Sequence, residues 1–105
     1  MKSIKTIRVC GTDLKLKALK PSIWAYGGMG RFCEIDGVIA YRKYMSPSTT
    51  NGIVLHECVH AMCDIGGLFP KDADNEHFVQ SLGALLHAFI KDNPELICKI
   101  LEEEG

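Results

Sequence analysis

The hydrophobic period changes once along this chain, at Pro47, and that change limits the folds open to it. Before it, apolar residues alternate with polar ones. In "KTIRVCG" Ile7 and Val9 alternate with charged neighbours, and in "DLKLKAL" Leu14 and Leu16 alternate with Lys15 and Lys17. A period of two is the signature of a half-buried strand. "CGTD" between these runs carries turn chemistry, so residues 5–19 read as a hairpin. "GRFCEIDGVIAYRKY" repeats the alternation around Asp36-Gly37, a pair favoured in type I′ turns, and predicts a second hairpin. "WAYGGMG" reads as a glycine-rich loop.

After Pro47 the period is helical. "SPSTTNG" offers Thr49, Thr50 and Asn51 as N-caps for a helix over about residues 50–65, with Gly66-Gly67 as its left-handed stop. Val54, Leu55, Cys58, Ala61, Met62 and Ile65 form one broad apolar surface of that helix. His56, Val59, His60 and Cys63 lie along another stripe. "FPKDAD" reads as a loop ending in an acidic N-cap. "NEHFVQSLGALLHAFIKD" reads as a second helix whose Phe78, Leu82, Leu85, Leu86 and Phe89 share a face. Asn93-Pro94 ends it, and "PELICKILEEE" reads as a short third helix. Strands followed by helices predict an α+β domain: a small antiparallel-containing sheet of two hairpins with two or three helices on one face. At 105 residues the chain suits one such domain.

Charge and cysteine content exclude several classes of function. A net charge of -1, with no basic stripe, gives no electrostatic footprint for nucleic acid. "MKSIKTIRVCG" interleaves Lys and Arg with apolar residues, so neither a secretory signal nor a membrane span is expected. The five cysteines, at 10, 33, 58, 63 and 98, include no C-x-x-C pair, which fits free thiols in the cytoplasm.

The chemistry is concentrated in "HECVH". Residues four apart on a helix stand one above the other, so His56 and His60 can aim their imidazoles at one point, as tetrahedral Zn²⁺ accepts. Glu57 projects about 100° round the helix from His56. There it reaches a water on the metal rather than the metal itself, where a carboxylate acts as general base. This is the mechanism carried by H-E-x-x-H on a helix.

Two histidines leave a catalytic zinc one protein ligand short. Asp64 follows His60 by one turn, but three ligands stacked on a straight helix diverge. A histidine six positions after His60 is lacking, because Gly66 stands there. His77 and Glu76 both open the second helix. Glu76 is preferred, because it shares a helix side with Val79 and Gly83, and Gly83 leaves room for the His56 helix to approach.

"HECVH" followed by "NEHF" resembles the gluzincin metallopeptidases, whose ligands are the two motif histidines and a glutamate on the following helix. The resemblance implies His56, His60 and Glu76 as Zn²⁺ ligands and Glu57 as catalytic base. It also implies a peptide or protein substrate bound as an added strand along one arm of "RFCEIDGVIAY". In length and element order the chain resembles small phage- and prophage-encoded zinc peptidases, and more distantly the ImmA/IrrE-type peptidases. Only the two short motifs are specific. Gln80 stands where many thermolysin-like enzymes carry an aspartate, and the His60–Glu76 gap is short. Tyr26, Tyr41, Tyr44 and His87 are the candidates for an oxyanion donor. The alternative function is a non-catalytic zinc-bearing interaction module, such as a phage regulatory or host-takeover factor. A closed structural zinc site, usually rich in cysteine, is a third reading.

Overall fold

A computed structural model of the protein describes residues 4–25, 27–67 and 75–104. Tyr26 and the 69–74 loop with its acidic cap lie outside the described residues. The chain is α+β, with four strands followed by three helices: β1 (Thr6–Val9), β2 (Thr12–Leu19), β3 (Gly30–Cys33), β4 (Val38–Arg42), α1 (Pro47–Ile65), α2 (Asn75–Asp92) and α3 (Pro94–Glu104).

Both expected hairpins are present, and they close differently. β1 and β2 join through Cys10-Gly11, with φ of 48° and 80° and Val9 paired to Thr12. Positive φ at both central residues marks a type I′ turn, whose twist matches that of the flanking strands. The second hairpin is wider than the two-residue Asp36-Gly37 turn read from sequence. Cys33 pairs with Val38, so residues 34–37 all belong to the loop, and Gly37 alone among them has positive φ, 64°. Asp36 stays on the right-handed side, where L-residues are unstrained.

The strand order is β1-β2-β4-β3. The two hairpins join through a parallel pairing of β2 with β4, from Lys15↔Val38 to Leu19↔Arg42. Parallel neighbours need a crossover. Here it leaves β2 through a 3-10 turn at Pro21–Ile23 and returns through the glycine-rich segment and β3. Consequently β3, the shorter arm of the second hairpin, forms one edge of the sheet.

Helix α1 starts earlier than its apolar pattern suggests. Ser46 is the N-cap and accepts from the Thr49 N–H at 3.2 Å, while Pro47 takes the first helical position, where a missing N–H costs nothing. At the other end Gly66 remains right-handed, and the left-handed residue is Gly67, with φ of 73°. The sheet-facing side of α1 is the one expected. Cys58 and Ala61 are buried with Val9, Leu14 and Ile39, flanked by Val54, Leu55, Met62 and Ile65.

The opposite side of α1 packs on α2. There Val59, Cys63 and Val79 form a second, smaller core, bordered by Phe78, Leu82 and Leu86. This shifts the expected α2 face. Leu85 and Phe89 are 68% and 49% exposed, while Val79 is fully buried and Gly83 lies against α1. At ~100° per residue, the line through Val79, Gly83 and Leu86 is rotated away from Leu85 and Phe89. Asn93 closes α2 by donating from Nδ2 to the Phe89 carbonyl at 2.9 Å, and α3 buries no residue. Among the described residues no helix is long and apolar enough to cross a membrane.

Candidate metal centre and cleft

α1 forms the floor of a cleft whose walls are β3 with its flanking loops and the first three turns of α2. His56 and His60 stand on the floor in one row, their ring centroids 5.0 Å apart. Glu76 reaches both from the α2 wall. Its Oε1 lies 2.8 Å from His56 Nε2, and its Oε2 lies 3.0 Å from His60 Nε2. Each imidazole is 23% exposed and the glutamate 67%, so the three open towards the cleft. Among the described residues these are the only three metal-ligating side chains brought together, with ligand atoms within 4.8 Å of one another.

The approach of α2 depends on a missing side chain. A Cβ at Gly83 would stand 3.4 Å from the Cα of His56, so any larger branch there would meet helix backbone. Gly83 thus brings α2 onto α1, and Glu76, about two turns earlier, comes to lie over the imidazole pair.

The other candidate ligands are elsewhere. His77 is exposed and outside the group. Asp64 lines the cleft one turn beyond His60, but its partner is the Glu34 carboxyl from the β3–β4 loop. Their hydrogen bond, and then the repulsion between the two charges, raise the Glu34 pKa above the ordinary carboxylate value. Cys63 also lines the cleft and is buried beside Val79, and burial pushes its thiol up.

Glu57 is the one buried charged residue among those described, 8% exposed, and it leans towards the β3 wall. Its Oε2 is 4.0 Å from His56 Nε2, beyond hydrogen-bonding range but beside the imidazole row. The backbone N–H of Phe32 donates to its carboxylate. Burial raises the Glu57 pKa; His60 and His56 pull it down, Glu76 pushes it up, and the Phe32 bond lowers it, with burial dominant. The carboxylate is therefore more basic than an exposed glutamate, and one strand of the sheet holds it in place.

Gly30 is the functional position that motif reading missed. A Cβ there would lie 2.5 Å from Ile53 Cγ2 and 3.1 Å from Glu57 Oε2, a contact that no side chain tolerates without movement. Only glycine lets β3 approach α1 closely enough to clasp Glu57. The signal was present in the sequence, since a glycine opening a strand marks close backbone approach. Of the four oxyanion candidates, His87 lines the cleft; Tyr41 and Tyr44 do not, and Tyr44 is 79% exposed beyond β4.

Comparison of the chain with protein-family models, with curated proteins and with solved structures gives no match.

Proposed function

We propose that the protein is a gluzincin-type zinc peptidase that hydrolyses a peptide held along β3. The observation that carries this reading is the reach of one carboxylate, Glu76, to both imidazoles at 2.8 and 3.0 Å, with Glu57 buried in the same cleft. The donor set fits the ion. Two imidazole nitrogens and one carboxylate oxygen are a ligand combination of catalytic zinc, and bonds of about 2.0–2.2 Å require ligand atoms drawn closely together. The three ligand atoms lie within 4.8 Å of one another, which supports that reading. When bound, zinc supplies Lewis acidity, bringing the pKa of water towards neutrality and polarising a carbonyl.

The remaining steps belong to the chain. Glu57 takes a proton from the attacking water as the new oxygen–carbon bond forms and the carbonyl electron pair moves onto oxygen. When the carbon–nitrogen bond breaks, Glu57 passes that proton to the departing amine, so it ends the cycle as it began. β3 supports the substrate. The Met29 carbonyl accepts from the Arg42 N–H at 3.0 Å, and antiparallel alternation then turns the backbone groups of Gly30 and Phe32 towards the open edge. With the Phe32 N–H engaged by Glu57, the Gly30 backbone and the Phe32 carbonyl remain to pair with an extended peptide. Free thiols at all five cysteines suit action in a reducing compartment such as the cytoplasm.

Metal analysis and peptide-library turnover test the reading together. Glu76→Ala should lose most of its zinc. Glu57→Gln should keep its zinc and lose about a hundredfold or more in turnover. Equal zinc in wild type and Glu76→Ala rejects the ligand set. A zinc-loaded wild type that cleaves no peptide favours the interaction module instead.

A further inference from the structure

We propose that α2 and α3 form an arm by which the protein pairs with a second copy of itself, the two arms lying antiparallel across a twofold axis near Asn93. The inference does not depend on the peptidase reading. It starts from apolar surface that the fold leaves bare. α3 buries no residue, and its main contact is with α2. A helix of 11 residues is marginal in water by itself, so an amphipathic one of that length calls for a cover. On α2, Leu85 and Phe89 are the residues that the approach at Gly83 turns outward.

Three observations identify the cover as a second copy. The first is spacing. Leu85, Phe89, Leu96 and Ile100 are 68%, 49%, 44% and 42% exposed and stand at i, i+4, i+11 and i+15. At ~100° per residue they fall within about 60° of one another. The break between the helices is Asn93 alone. It is tied on both sides, since Asn93 Nδ2 donates to the Phe89 carbonyl at 2.9 Å and the Ile97 N–H donates to the Asn93 carbonyl at 3.2 Å. Steps of four, seven and four read the same in both directions. An antiparallel copy therefore sets Leu85 against Ile100 and Phe89 against Leu96, and the same contacts recur across the axis. An isologous contact requires that self-complementarity, whereas a foreign partner imposes no such symmetry. The second observation is charge. The last turn of α3 carries Glu102, Glu103 and Glu104 and no basic residue. Antiparallel arms keep the two acidic clusters at opposite ends, whereas parallel arms would stack them. With Glu95 on the same helix and Lys99 as its one basic residue, these acids also oppose docking on an anionic lipid surface. The third is area. With flanking residues counted, two such lines bury on the order of 1,000 Å², the size of a weak, reversible association. The second copy also braces α2 from outside, while α1 holds its inner side through Val59, Cys63 and Val79.

Sedimentation equilibrium of the purified protein tests the proposal. Wild type should pass from monomer to dimer with a Kd on the order of 10 µM. Phe89→Glu and Leu96→Glu should each weaken pairing by at least about tenfold. Leu101→Glu is the control: Leu101 is as bare as Leu85, 68%, but stands about 160° round from it, and pairing should change by no more than about threefold. Leu96→Glu lies on the helix that buries nothing, so its thermal melt by circular dichroism, taken below the Kd, should match wild type. Direction is read by mixing Leu85→Cys with Ile100→Cys, both with Cys10 and Cys98 changed to serine. Mild oxidation should give the mixed disulfide in excess over either self-disulfide. The proposal is overturned if wild type is still monomeric at about 200 µM, which leaves the face to another occupant. It is overturned equally if Leu96→Glu pairs like wild type, if Leu101→Glu loses as much as Leu96→Glu, or if the self-disulfides dominate.

Discussion

The two sides of α1 are held in different ways. Towards the sheet, Cys58 and Ala61 enter a core built with Val9, Leu14 and Ile39 from three strands, and many half-buried neighbours surround it. Towards α2, only Val59 and Cys63 meet a fully buried partner, Val79. The motif helix is thus anchored by the sheet, while Glu76 depends on one helix-to-helix seam. The anchored side fixes where His56, Glu57 and His60 stand. The thinner side governs whether Glu76 stands with them.

Truncations on the two sides should separate these roles. Ile39→Ala, in the sheet-side core, should cost about 3 kcal/mol of unfolding free energy in denaturant titrations. Zinc affinity of the molecules that remain folded should hardly change. Val79→Ala should cost less, about 2 kcal/mol, and yet weaken zinc binding measurably. Equal loss of zinc affinity in the two variants, measured where both are folded, would break the comparison. Gly83→Val sharpens it, because its branches would meet the backbone at His56. Zinc affinity should fall by more than about tenfold, about 1.4 kcal/mol, in isothermal titration. An unchanged affinity would show that α2 does not need that close approach.

Thiol reactivity reads the same contrast without altering a core. Cys58 belongs to the sheet-side core and Cys63 to the α2 seam. Burial pushes the Cys58 thiol up to about 11, with the Glu57 charge adding to the effect, and burial raises the Cys63 thiol too. Alkylation followed by mass spectrometry should modify exposed Cys10 and Cys98 first, then Cys63, with Cys58 slower by about tenfold. Zinc should protect Cys63 and leave Cys58 unaffected; protection of both alike would mean that the two sides open as one.

The smallest effect is expected at the far end of the cleft. A carboxyl whose folded pKa lies above its unfolded value favours the folded state at acid pH, and that contribution is lost as pH rises through the folded value. Glu34 is such a group, because of Asp64. Glu34→Gln should therefore raise the melting temperature slightly at pH 7, where two ionised carboxylates repel, and give no gain near pH 4. A gain of equal size at both pH values would remove electrostatics as its cause.

Much of this arrangement was legible in the chain because it is written in local periods. Residues four apart must share a helix face, so the His56/His60 pair could be read directly. Glu76 followed from sharing a side with Val79 and Gly83, the side that does meet α1. What escaped was set by contacts between distant residues. The parallel β2–β4 pairing leaves no mark in either strand, because both alternate as they would in a hairpin. Leu85 and Phe89 look like core by composition, and only the line of approach at Gly83 turns them outward. Ser46 lies outside the apolar pattern of α1, which begins after the first turn, although Pro47 marks that turn. Gly30 carries no chemistry of its own, and its importance emerges only when Ile53 and Glu57 are seen beneath it.

The Glu76 carboxylate spans both imidazoles through its two oxygens. Loading with an ion would then exchange these close carboxylate–imidazole contacts for coordinate bonds and leave the backbone where it is. Chelation should accordingly silence the protein without denaturing it, unlike small domains that collapse once stripped of their metal. The scaffold would survive as a reusable holder, ready to be charged again.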